Sequence, residues 1–378
     1  MMSKSLFSVV LLAALAIQGC SNARPDLPKP PSVESKVDLK KSWRTGVDGD
    51  FGETSERFNL VAESGSLFLV TQEGTLYELG QEKGKEKDTY ETGFNASSGV
   101  TRQGDTLYFG TYDAQLLAVS MSNKTILWQK TLSSEILSEA TYAAGKLAVQ
   151  TADGWLNVLD ATTGETLWRA KEDLPSLTVR GTSAPVIAQG KVMAGFANGK
   201  LNAYSLQDGR TLWSYEVGKP EGRYEIERLS DIDGRLVVKE NVVYAVAYNG
   251  TLVALSIESG RPLWQRSISS SVGVAVEGEL LIAVDMKSNV MALNAKNGTE
   301  VWENTQLVDR DLITPTFFRD YVAVMDRGGY VHLLDLITGE IADHRMADND
   351  VPPGSRMVAS DKKLFILTPS ANVTALSY

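Results

Sequence analysis

A short block recurs eight times along this chain, and its spacing constrains the fold more than any other feature. The copies are EGTLYELG from Glu73, DAQLLAVS from Asp113, DGWLNVLD from Asp153, NGKLNAYS from Asn198, NGTLVALS from Asn249, KSNVMALN from Lys287, GGYVHLLD from Gly328 and SANVTALS from Ser370. Their fourth residue is always aliphatic: Leu76, Leu116, Leu156, Leu201, Leu252, Val290, Val331 and Val373, separated by 40, 40, 45, 51, 38, 41 and 42 residues. A period near 40 residues marks one supersecondary unit stacked repeatedly, as in propellers and solenoids. The total of 378 residues also exceeds what one ordinary core organises, which a repeat array resolves.

Twelve residues after the aliphatic anchor stands a tryptophan in five copies: Trp128, Trp168, Trp213, Trp264 and Trp302. Copies one and seven carry Asp88 and Asp343 there instead. Between anchor and tryptophan lies a turn, as in Asp160-Ala161-Thr162-Thr163-Gly164 or Asp208-Gly209, where glycine accepts a positive φ. Period-two stretches flank it, Lys200 to Tyr204 before and Thr211 to Tyr215 after, with a third at Val192 to Ala197 and a fourth, innermost one near Ala184 to Ile187. Each copy is thus predicted to be a four-stranded antiparallel meander, a propeller blade. An open array would expose a strand edge, so its ends matter. The eighth copy stops at Tyr378 before any tryptophan strand, whereas Leu39-Lys40-Lys41-Ser42-Trp43 is a tryptophan strand with no blade before it. The expected fold is all-β, an eight-bladed β-propeller over residues 38–378 whose ring is closed by the N-terminal strand. Trp43, Trp128, Trp168, Trp213, Trp264 and Trp302 are expected to be structural, packing between neighbouring blades.

The chain's start has a different character. Lys4 precedes an apolar run from Leu6 to Ile17, too short to span a bilayer stably and suited to a secretory signal over residues 1–19. Ile17-Gln18-Gly19-Cys20 resembles the lipobox of bacterial lipoproteins, which implies that Cys20, the only cysteine, is lipidated and becomes the mature N-terminus. Ser21 in place of Asp implies, by the bacterial sorting rule, retention at the outer membrane, and several acyl chains anchor a soluble domain firmly. Residues 20–37, with Pro25, Pro28, Pro30 and Pro31 among polar residues, read as a tether spanning up to about 50 Å if extended.

Charge and composition narrow the function. With 37 Lys+Arg against 47 Asp+Glu the formal charge is −10, which argues against nucleic acid as a partner. One cysteine and two histidines, His332 and His344, leave little for a metal centre, and no catalytic residue or cofactor is assigned. His332 sits in the alternating block Tyr330 to Leu334 and is expected to be a strand residue rather than a base.

The two long spacings place extra residues after Trp168 and after Trp213. In an up-down meander, successive fourth-to-first strand connections emerge on one propeller face, so these insertions are expected side by side. The first, Glu172 to Gly181, sets Leu174, Leu177 and Val179 around Arg180; the second, Arg223 to Asp233, interleaves both charge signs with apolar residues. Apolar anchors beside arginine suit a protein interface. An equally open reading has Leu177 and Val179 plugging the ring while Arg180 pairs with Asp231 or Asp233.

The Asp-x-x-Thr-Gly-x-x-x-Trp pattern, fullest from Asp160 to Trp168, resembles the quinoprotein-type propellers. That likeness admits a periplasmic quinone-dependent dehydrogenase, although the adjacent cysteine pair and calcium-binding constellation of those enzymes are not recognisable. Together with the lipobox and tether, LPSLTVRGTSAP from Leu174 and EIERLSDID from Glu225 resemble the BamB family, lipoprotein subunits of the β-barrel assembly machinery. The resemblance implies a non-catalytic, lipid-anchored protein on the periplasmic face of the outer membrane. It further implies that Leu177, Val179, Arg180, Asp231 and Asp233 face the POTRA domains of BamA, and through it the other subunits. Unfolded outer-membrane proteins are a further partner class, through an exposed blade edge.

Overall fold

The computed structural model describes residues 26–49, 51, 57–175, 177–178, 183–218, 223, 229–232, 234–248, 250–349, 356–360 and 362–378. The signal, Cys20, Val179, Arg180 and Asp233 lie outside these residues. The described strands form eight four-stranded antiparallel sheets, the eight blades expected from the repeat. Seven follow chain order. The eighth is composite, with Lys40–Gly46 paired antiparallel to Asn372–Ser377, followed inward by Leu364–Leu367 and Arg356–Ala359. The ring is therefore closed by the N-terminal strand.

Burial follows from position within a blade. Second and third strands are covered on both sides by neighbouring blades, so they are apolar almost throughout, as in Ser66–Val70 and Trp155–Asp160. The outermost strand has one covered side and alternates, as Thr125–Thr131 does. The core is consequently divided among blade interfaces. One such cluster joins Met193, Leu201 and Ala203 of blade four to Val243, Ala245 and Leu255 of blade five.

Each of the six tryptophans bridges to the next blade in the same way. The indole Nε1 of Trp43, Trp128, Trp168, Trp213, Trp264 and Trp302 donates to the carbonyls of Gln81, Ala161, Leu206, Ile257, Ala295 and Leu336, at 2.9 to 3.1 Å. Each ring lies flat over a glycine of the neighbouring turn. At Gly209, for example, φ is +72° and a Cβ would stand 2.6 Å from the Trp168 ring. Glycine is required there twice over, by the backbone and by the indole.

The two aspartate copies also have defined roles. Asp88 meets Lys124 of the next blade at 2.6 Å, and Lys124 itself takes φ +51° in the turn where other blades place glycine. An ion pair thus replaces the indole. Asp343 faces the composite blade, where the chain enters rather than turns. Its carboxylate accepts hydrogen bonds from Leu39 N at 2.7 Å and Ser35 Oγ at 2.9 Å, while Arg345 Nε donates to Leu39 O at 2.8 Å. At this position the carboxylate holds the incoming strand, where the tryptophan-bearing blades set an indole on a glycine turn. Asp343→Ala leaves the buried Leu39 amide without an acceptor and is expected to cost about 2 kcal/mol. Faster amide exchange confined to residues 39–46 and 372–377 would check it.

Part of the proline-bearing segment lies against the ring. Lys36 N donates to Ala342 O at 2.7 Å, Val33 packs on the interface of blades six and seven, and the buried Arg310 guanidinium holds the Pro28 carbonyl. Residues 28–36 are therefore laid along blade seven, so the whole proline-bearing length is not free spacer.

Candidate functional site

In every blade the second-to-third strand turn and the fourth-to-first connection emerge on the same face, because consecutive strands alternate direction. Both insertions, starting at Glu172 and at Val217, leave from fourth strands, Thr166–Lys171 and Thr211–Glu216. They return to first strands of adjacent blades, Val186–Ala188 and Val237–Lys239. Ser183 Oγ donates to Gly234 O at 3.0 Å and ties the two return paths together. The described return ends of the two insertions thus lie side by side, as the meander predicts for these connections.

The base of the first insertion is fixed by Glu172, a residue whose anchoring role the sequence pattern did not single out. Its carboxylate accepts from Lys200 Nζ at 2.7 Å, Asn198 Nδ2 at 2.9 Å and Asn202 Nδ2 at 3.0 Å, all from the next blade. Burial alone pushes this carboxyl up, but the Lys200 ammonium and the amide donors outweigh it and hold it below the usual range. The alternating Asn198, Lys200 and Asn202 were the available signal. Beyond this anchor Leu174 turns inward, close to Gly154, whereas Leu177 stands 44% exposed.

The second insertion returns through a buried stretch. Leu229, Ser230, Asp231, Ile232 and Leu236 are all enclosed, with Ile232 pressed against Gly195 and Tyr248 N donating to Asp231 O at 3.0 Å. Of the residues expected to meet a partner, Leu177 is at the surface and Asp231 is interior. Asp231 therefore fits a role in shaping the loop better than direct contact. Between the insertions and blades two to four lies a cavity of about 340 Å³, lined among others by Leu137, Gln150, Leu174, Thr178, Phe196 and Ile232.

Near the axis three innermost strands meet. Glu139 precedes Thr141–Ala143 of blade three, Arg235 precedes Val237–Lys239 of blade five, and Arg356 opens Arg356–Ala359 of blade eight. Glu139 Oε1 lies 2.8 Å from Arg356 and 3.7 Å from Arg235. These blades are not neighbours in the ring, so the triad reaches across its centre. His332 lies within Tyr330–Asp335, buried, with Nε2 at 2.7 Å from Asp326. Asp326 also accepts from Arg310 at 2.6 Å, and burial holds the imidazole below its ordinary pKa against the pull of that aspartate. Among the described residues no three His, Cys, Asp or Glu side chains converge as metal ligands would.

The family model for the outer membrane protein assembly factor BamB matches residues 87–304. The protein of that name from Yersinia pestis is 30% identical over 98% of both chains. The crystal structure of BamB from Moraxella catarrhalis superposes with a TM-score of 0.80 at 24% identity, covering 90% of this chain and all of that one. A quinohemoprotein alcohol dehydrogenase from Comamonas testosteroni is similar in fold alone, with a TM-score of 0.69 at 11% identity over 90% of this chain and 76% of its own. Repeat, ring closure and full-length similarity agree: the chain belongs to the family of the outer membrane protein assembly factor BamB.

Proposed function

We propose that this chain is a non-catalytic scaffold of outer-membrane protein assembly, anchored by lipid on Cys20 to the periplasmic face of the outer membrane. The rim carrying the two insertions docks the POTRA domains of BamA and, through it, the other subunits of the assembly complex. The observation that carries this is the pairing of two inserted connections on one rim, tied by Ser183 and Gly234, with Leu177 held exposed above a buried base. Family membership supports the assembly role, since the relatives are named assembly factors. In this reading Leu177 and Val179 are buried on docking, Arg180 seeks a partner carboxylate, and Asp231 and Asp233 shape or extend the surface. Confinement to the membrane raises the effective concentration beside a membrane-embedded partner. Unfolded barrel segments meet the exposed blade edges as a secondary partner class.

The test is co-purification from detergent-solubilised outer membranes. Wild type is expected to carry a BamA-like barrel protein, and Arg180→Glu to lose roughly tenfold or more of it while its circular dichroism is unchanged. Equal recovery with the variant removes the docking surface; no such partner with wild type removes the function. A dehydrogenase, the alternative of the same fold, would instead reduce a dye in a quinone- and calcium-dependent manner.

A further inference from the structure

The outer strands of blades two and three, on either side of the groove between these blades, carry Lys130, Arg169 and Lys171. Between blades four and five, the side chain two residues after Trp213 meets the side chain one residue after Trp264. Tyr215 and Gln265 display that geometry, with Tyr215 Oη 3.2 Å from Gln265 Oε1. Lys130, two residues after Trp128 in blade two, and Arg169, one after Trp168 in blade three, occupy the positions that Tyr215 and Gln265 hold in blades four and five. Lys171 follows Arg169 on the same side of its strand, directly opposite Trp155.

Trp155 is the seventh tryptophan and docks no neighbouring turn. Its half-buried ring carries the Arg169 guanidinium 4.3 Å from its centroid and the Lys171 ammonium at 5.6 Å. In two other grooves a cation has a carboxylate partner: Lys200 pairs with Glu172 at 2.7 Å and Arg266 approaches Glu300 at 3.7 Å. Among the described residues, no carboxylate pairs with Lys130, Arg169 or Lys171. Asp153, at the rim end, is engaged by Ser133 at 3.1 Å and Thr151 at 2.6 Å. Two cations on one indole, with Lys130 on the adjoining blade and none of the three in an ion pair among the described residues, are conspicuous on a chain of net charge −10.

We propose that this groove is a second docking element, which receives an acidic segment of a protein partner. Carboxylates of that segment meet Lys130, Arg169 and Lys171 while its apolar atoms lie on Trp155. A polypeptide is favoured over a phosphate because the indole offers a broad apolar face beside the charges, the Trp-and-Arg combination that protein interfaces concentrate. The strand bearing Arg169 and Lys171 continues directly into Glu172 and the insertion that displays Leu177, so the groove and that rim are contiguous. The inference rests on the docking role proposed for that rim and extends it by about one blade's width along the side of the ring.

The test places a photo-activated cross-linking residue at Lys130, and separately at Leu177, in the full lipoprotein in its membrane. A companion variant combines Lys130→Glu with Arg169→Glu. Position 130 is expected to capture an Asp- or Glu-bearing peptide of the same polypeptide that position 177 captures. The charge-reversed protein is expected to keep its melting temperature and to lose roughly tenfold in partner affinity at low salt, with a shallower salt dependence. Capture at 177 with phospholipid or nothing captured at 130 overturns the inference and leaves the rim intact. Capture at 130 of an acidic polypeptide with none at 177 upholds the groove and sinks the rim, and silence at both positions sinks the two together.

Discussion

Replacing Trp213 with alanine is expected to lower the stability of the ring by about 3–5 kcal/mol, the range for removing a large buried aromatic side chain. The indole is 9% exposed, belongs to the cluster shared by blades four and five, and donates to Ile257 O at 2.9 Å. Its loss removes apolar contact and leaves the fully buried Ile257 carbonyl without that donor. Gly260→Ala attacks the same junction from the other side. At φ +68° its new Cβ would stand 2.6 Å from the Trp213 ring, so either the turn or the indole must move. Because both variants break one contact, their combination is expected to cost less than their sum. Thermal unfolding of the three proteins measures this, with a fall of several degrees for each single variant. A Trp213→Ala protein melting within a degree of wild type would mean that the blades are held by their inner strands alone.

The junction was legible in the sequence because a single residue type at a fixed offset marks it. The tryptophan needs a glycine opposite, and both recur at the blade period. Glycine at the turn and indole at the strand are local choices that agree with the global ring, so pattern alone located the six docking sites and the composite blade. The exceptions were visible as letters but not as chemistry. Asp88 finds Lys124 and Asp343 finds Leu39 only after the ring brings together strands from different repeats. The candidate rim divided in the same way. Spacing located the insertions and their shared face, since connectivity fixes which loops are neighbours. It did not reveal that Asp231 would be interior, because the burial of a loop residue depends on where the loop folds back. Glu172 was hidden for a related reason: its partners Asn198, Lys200 and Asn202 lie in the following repeat.

Glu139 illustrates a dependence that no repeat period encodes, because its two cations come from blades on other sides of the axis. The carboxylate is 3% exposed. Burial pushes its pKa up; the Arg356 guanidinium first, then Arg235, and the hydrogen bond from Arg356 more than offset that and bring it from the ordinary 4.5 to about 2. A folded-state pKa below the unfolded one means that folding favours the charged form. The resulting stabilisation is fully present above pH 4.5 and disappears as pH falls through about 2. A shift of this size corresponds to about 3 kcal/mol. Glu139→Gln keeps the shape, removes the charge and leaves two guanidinium groups facing each other near the axis. It is therefore expected to destabilise the ring by about 3–4 kcal/mol at neutral pH, within the range for breaking a buried ion pair from one side. The sign of the pH dependence distinguishes this from a packing defect. Denaturant midpoints of wild type and variant should converge as the pH is lowered from 4.5 toward 2, because the wild type gives up by protonation what the variant already lacks. A gap that stays constant across that window would assign the loss to local packing and not to the charge that joins blades three, five and eight.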